Sequence, residues 1–182
     1  MNRAAALVAA SILTSLASLW GVWRVDAQSE APALKAKATF INIEGQSIGT
    51  ALLTETPNGV LIQIDVSGLP PGEHAFHIHE VGLCEPGKAF ESAGGHLAVG
   101  HKHGYLVPDG PHPGDMPNQF VSSAGVLHAH VFNPAVTLGT GDNTLFGTNG
   151  TALVLHTGVD DYHSQPAGNA GGRIACAVIE KS

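Results

Sequence analysis

The chain has 182 residues, enough for one domain of about 150 residues beyond a removable leader. Its 8 Lys and Arg against 15 Asp and Glu give a formal net charge of -7. So acidic a chain is a poor fit for a nucleic-acid partner or for an anionic membrane surface.

Met1, Asn2 and Arg3 precede an apolar run over 4–23, and Val25-Asp26-Ala27 offers the small residues that a signal peptidase prefers. Residues 1–27 are therefore expected to be a signal peptide, cleaved to leave Gln28 first and no stable membrane partner afterwards. The alternative is a retained anchor, since the run approaches the roughly 20 residues that span a bilayer. Its Ala, Ser and Thr content favours cleavage, and no cysteine adjoins the site to carry a lipid. Residues 28–37, rich in Ala, Pro and Lys, are expected to form a loose arm, leaving 38–182 as the folded domain.

Short β-prone runs follow at 38–43, 49–55 and 60–66, the last two joined by the hairpin signal Pro57-Asn58-Gly59. A fourth at 73–79 comes after the turn Pro70-Pro71-Gly72. Runs at 125–132, more weakly at 135–138, then at 150–156 and 173–179 bring the set to about eight. No segment between them has the length and 3.6-residue period of an amphipathic helix, so the class is all-β. Residues 80–122 lack a convincing strand. A connection of that length is expected to be functional or pinned by something other than a sheet.

Six histidines and one aspartate fall at spacings that neither a solvated face nor an apolar core requires: His77, His79, His96, His103, His112, Asp115 and His156. His77 and His79 lie two apart in a strand, so both imidazoles project from one face and can reach one ion. His96, His103, His112 and Asp115 lie in a Gly- and Pro-rich loop and offer the nitrogen and oxygen ligands of a closed tetrahedral zinc site. His156 ends an apolar strand and is free to complete the first site. Imidazole-rich sets suit copper and zinc. His101 competes with His103, whereas His74 reads as a hydrogen-bonding core residue. His128 and His130 alternate with apolar residues and read as a solvent face, with an accessory metal role left open. Cys84 and Cys176 are expected to pair, because exported chains meet an oxidising compartment.

Taken in order, these residues resemble the copper/zinc superoxide dismutases of the bacterial exported type. The likeness runs from about 38 to 180. It takes in GLCEP around Cys84, HTGVD from His156 to Asp160, and GNAGGRIACAVIE, which carries Arg173 and Cys176. The resemblance implies an eight-stranded Greek-key β-sandwich or barrel with long metal-binding and active-site loops. It implies copper held by His77, His79, His96 and His156, and zinc held by His96, His103, His112 and Asp115, so that His96 bridges the metals. Asp160 would link the two sites by accepting from His77 and His103. His96 and Arg173 would be the catalytic residues, acting on superoxide as ligand and proton carrier and as fixed cation respectively. The implied state is a periplasmic or extracellular monomer or homodimer. A contrasting reading, an exported copper and zinc buffer without turnover, would use the same ligands but would not need Arg173, Asp160 or a bridging His96.

Overall fold

The computed structural model describes residues 33–182. The expected signal peptide and most of the expected arm lie outside that range. Eight strands form: β1 (Lys35–Asn42), β2 (Ser47–Thr56), β3 (Gly59–Val66), β4 (Gly72–His79), β5 (Asp115–Val121), β6 (Leu127–Asn133), β7 (Ala152–His156) and β8 (Arg173–Lys181). They hydrogen-bond in the order β5-β4-β7-β8-β1-β2-β3-β6, with every pair antiparallel. The terminal strands β5 and β6 also approach each other, so the sheet nearly closes into a barrel. The hairpins β1-β2-β3 are local, while the connections from β3 to β4 and from β6 to β7 cross the barrel in Greek-key fashion.

The strand period of two explains the core. Phe40 of β1, Leu53 of β2, Ile62 and Ile64 of β3, Phe76 and Ile78 of β4, and Leu153 and Leu155 of β7 all point inward and are fully or almost fully buried. In β4 and β7 the opposite face is buried as well, because the segment between β4 and β5 folds over it. Phe90 and Ala93 of that segment pack with Ala152, Val154 and Cys176 in a second apolar cluster, flanked by Ile41 and Cys84. His77, His79 and His156 sit on this covered face.

Two register shifts decide which residues share it. Between β7 and β8, Leu155 pairs with Ala175 but His156 pairs with Arg173, so β8 carries one extra residue, Ile174. Strict alternation would turn Arg173 away from the face that holds Cys176, and the bulge turns it back. Between β4 and β5, His74 pairs with Gln119 while Phe76 pairs with Met116 and His77 with Asp115, so the extra residue is on β5.

The strand bounds correct the sequence reading in three places. β1 begins at Lys35, so 35–37 are paired strand rather than loose arm. β5 lies inside the segment expected to have no strand. Its pattern is inverted, with Gln119 buried and Phe120 72% exposed, and Pro117 stands where the ladder is already broken. The weak run at 135–138 is not a strand. It is held instead by an isolated bridge of Thr137 to Thr144 and by the Glu55 carboxylate, which accepts from the Thr137 hydroxyl and the Leu138 amide.

Cys84 and Cys176 form a disulfide across a sequence separation of 92, tying the covering segment to β8. Closing so long a loop stabilises by about 4–5 kcal/mol in the chain-entropy picture. Alkylation of the unreduced protein is therefore expected to label no cysteine, and Cys84→Ser with Cys176→Ser to lower the unfolding free energy of the metal-free protein by up to that amount. Two alkylatable thiols would contradict the pairing.

Candidate metal centre

Five segments bring ionisable side chains to the covered face. β4 supplies His77 and His79, β7 supplies His156, and the first residue of β5 supplies Asp115. The segment between β4 and β5 supplies His96, His103 and His112, and the β7–β8 connection supplies Asp160. All eight are buried. His101 is exposed. His74 is buried away from this group, its ring nitrogens 2.8 Å and 2.9 Å from the carbonyls of His156 and Pro70.

The side chains divide into two groups. In the first, one nitrogen each from His77, His79, His96 and His156 lies within 4.8 Å of the others. The outward nitrogens are occupied: His77 Nε2 donates to Asp160 Oδ2 at 2.8 Å and His79 Nδ1 to the Gly94 carbonyl at 3.0 Å, while His156 Nδ1 faces the Gly171 carbonyl at 3.4 Å. That leaves lone pairs pointing inward. His79 Nε2 and His156 Nε2 face each other at 3.3 Å, and His77 Nδ1 and His96 Nε2 have no hydrogen-bond partner. Two buried nitrogens without partners beside two that have only each other are a donor set that a cation would satisfy, so the group fits a metal.

In the second group, the Nδ1 atoms of His96, His103 and His112 lie 3.1, 3.0 and 3.3 Å from one oxygen, Asp115 Oδ1. The last contact is too poorly aligned to be a hydrogen bond, which leaves His112 Nδ1 unpartnered. The other carboxylate oxygen accepts from the backbone amides of Gly104 and His112 and fixes the group. Three imidazole nitrogens gathered around one carboxylate oxygen are donors of the kind zinc takes, and one ligand atom each of His77, His96, His103 and Asp115 lies within 4.8 Å of the others. His96 presents Nδ1 to this group and Nε2 to the first.

Asp160 joins the groups. Its Oδ2 accepts from His77 and its Oδ1 from His103 Nε2 at 3.0 Å. Asn118 grips the Asp160 backbone at both ends, its Nδ2 donating to the carbonyl at 3.0 Å and its Oδ1 accepting from the amide at 2.9 Å. Gln165 does the same for His103. A Cβ at Gly168 would overlap Asp160 Oδ1, so the bridge closes only over a glycine. Arg173 donates to the carbonyls of Phe90 and Gly94. The Gly94 carbonyl thus serves both Arg173 and His79, and its positive φ of 72° beside Glu80 and Val81 suits glycine alone.

Of these supports, Gly94 and Gly168 had a signal in the sequence, the unusual glycine density of AGGH and AGNAGG. Asn118 and Gln165 had none.

Electrostatics follow the same division. Burial pushes His79 down to about 2, helped by the positive charges of His96 and Arg173. Burial likewise lowers His156 to about 3, with His77 and His96 adding to it. For His96 burial outweighs the Asp115 hydrogen bond and the value falls to about 4. These rings are neutral at neutral pH, as metal ligands would have to be. His103 is the exception: burial opposes its charge, but the carboxylates of Asp115 and Asp160 prevail and raise it to about 9. Both carboxyls are themselves held well below their usual range, burial being outweighed by their histidine partners.

A profile of the family described as copper/zinc superoxide dismutase matches residues 47–179. The superoxide dismutase [Cu-Zn] 2 of Aquifex aeolicus is 57% identical over 149 residues, covering 80% of this chain and 86% of that protein. The superoxide dismutase [Cu-Zn] of Escherichia coli K12 is 37% identical over 175 residues, covering 91% and 98%. Among solved structures, a double mutant of a SOD-like protein from Bacillus subtilis superposes with a TM-score of 0.75 at 36% identity, covering 78% of this chain and 95% of that one.

The raised His103 pKa makes a pH prediction. In the metal-free protein its charged pairing with Asp115 and Asp160 stabilises the fold fully below about 6.5, the unfolded value, and that contribution is lost as pH rises through about 9. Zinc bound at this group would have to displace that proton. Apparent zinc affinity is therefore expected to fall about tenfold for each pH unit below about 9, with close to one proton released from His103 per zinc at neutral pH. Zinc titration of the metal-free protein in weak buffer with a pH indicator reads both quantities. A pH-independent affinity would contradict it.

Proposed function

The chain belongs to the copper/zinc superoxide dismutase family, and from that membership and the donor geometry we propose the part each residue plays in converting superoxide to dioxygen and hydrogen peroxide. His77 Nδ1, His79 Nε2 and His156 Nε2 would hold copper, His103, His112 and Asp115 would hold zinc, and His96 would serve both. The observation that carries this reading is His96, whose two nitrogens face different donor sets, one of them with no other partner. Copper held there would supply the redox chemistry of the reaction.

The chain's own residues do the rest. An imidazole shared between two dications gives up its second proton, because adjacent positive charge favours the less protonated form. His96 Nε2 would carry a proton to the reduced product, with Nδ1 facing the Asp115 group. Asp160 holds His77 and His103 in the tautomers that point Nδ1 inward. Arg173, half-buried and tied to two carbonyls, is a fixed cation that draws and orients the anionic substrate in a protein whose net charge would repel it.

We place the enzyme outside the cytoplasm, with residues 1–27 as the leader that exports it. A disulfide closing so long a loop supports this, since oxidising compartments maintain such bonds.

Arg173→Glu is expected to lower the second-order rate with superoxide at low ionic strength by about tenfold or more while leaving copper and zinc content unchanged. Pulse radiolysis with metal analysis on the same sample measures both, and an unchanged rate would remove Arg173 from the mechanism. Zinc added to the copper-loaded, zinc-free protein is expected to shift the visible and electron paramagnetic resonance spectra of copper. His96→Ala is expected to abolish that response while copper still binds. A copper spectrum indifferent to zinc would count against the bridge.

A further inference from the structure

Far from the buried centre, the outer face of the β3–β6 pair carries four polar side chains in a two-by-two array. Strand register places Asp65 directly opposite His128 and Gln63 directly opposite His130. The two histidines are two residues apart on β6, so their rings stand on one face. Both are exposed, as is Asp65. Neither β3 nor β6 contributes a residue to the buried centre.

From this array we propose a second, surface site at which His128, His130 and Asp65 bind a borderline divalent cation such as nickel, copper or zinc. The buried centre provides a ruler for the geometry. Rings whose nitrogens converge there have centroids 3.9 to 6.2 Å apart, and the rings of His128 and His130 are 6.4 Å apart. His128 Nδ1 lies 3.8 Å from Asp65 Oδ2, against 3.0 to 3.3 Å around Asp115. The three donors do not yet converge as those of the buried groups do, and the site forms by rotation of side chains that solvent exposure leaves free to turn. Gln63 Nε2 lies 3.3 Å from His130 Nε2, so a cation held by that nitrogen takes the place of the Gln63 amide.

Two imidazoles and one carboxylate are a donor set for late first-row divalent ions, and the ladder between β3 and β6 holds their backbones in place. With three protein donors on an open face, the remaining positions belong to water. The bound ion is therefore exchangeable, unlike one enclosed at the covered face. An isolated exposed histidine, such as His101 or His163, offers a single donor and no chelate.

The test uses the full protein with its buried copper and zinc sites filled, titrated with nickel(II) by calorimetry and followed by NMR. One further equivalent of nickel is expected to bind, and its paramagnetism to broaden the resonances of His128, His130 and Asp65 before those of His101 and His163. Loss of a mere outer partner costs a metal site about 10- to 100-fold, so His128→Ala and His130→Ala, which each remove a ligand, are each expected to weaken nickel binding by at least about tenfold. Asp65→Asn is expected to weaken it less. Dismutase activity and the copper spectrum are expected to stay at the wild-type level in all three, which shows that each variant is folded. Nickel binding unchanged in the His128→Ala, His130→Ala double variant would overturn the proposal. So would broadening centred on other histidines, or no binding below millimolar nickel.

Discussion

The Asp160 carboxylate is the constraint on which the rest of the centre depends. One oxygen accepts from His77 Nε2 and the other from His103 Nε2, so a single side chain orients a ring in each donor group. With Nε2 protonated, both rings turn Nδ1 inward, and the donor sets on either side of His96 are complete. Metal-binding imidazoles commonly depend on an outer carboxylate in this way. Here one carboxylate serves two rings, so the geometry of either group cannot change without pulling on the other. The Asn118 amide and the glycine at 168 hold the carboxylate at that midpoint.

Burial is what makes the arrangement chemically useful, and it comes from the irregular segment between β4 and β5. That segment has little hydrogen-bonded ladder of its own. It is held by the disulfide to β8, by Phe90 in the second apolar cluster, and by the Arg173 hydrogen bonds to Phe90 and Gly94. Removing the rings from water keeps His79, His96 and His156 neutral, as ligands must be. The same burial leaves unpartnered nitrogens that cost free energy until a cation satisfies them. Metal binding and the closure of this segment are therefore coupled, and either strengthens the other.

Charge is distributed to match. The exposed pairs Lys37–Glu180, Lys88–Glu85 and Lys102–Asp109 lie in high dielectric and contribute little, about 0–1 kcal/mol each. Arg173 differs because it is half-buried and tied to backbone, so its charge stays in one place beside His79 and His156. In an acidic protein, attraction of an anion has to be local, and the proposed role of Arg173 rests on its being a fixed cation at the covered face.

The amino-acid sequence by itself determined the ligand chemistry and most of the sheet. His77 and His79 were legible because a strand repeats every two residues, and the core strands because apolar residues alternate along them. The strand at Asp115–Val121 was not legible, since its burial pattern turns Phe120 out and Gln119 in, and the run at 135–138 looked like a strand until the Glu55 carboxylate claimed its backbone. Local pattern could not tell that the extra residue Ile174 turns Arg173 toward His156, nor that Asn118 grips Asp160 from 42 residues away. Nor could it say which nitrogen of each ring faces inward. That choice follows from hydrogen bonds such as His77 to Asp160, made across 83 residues of sequence. Residue type and period are local properties of the chain, whereas register and ring tautomer exist only once distant segments have met.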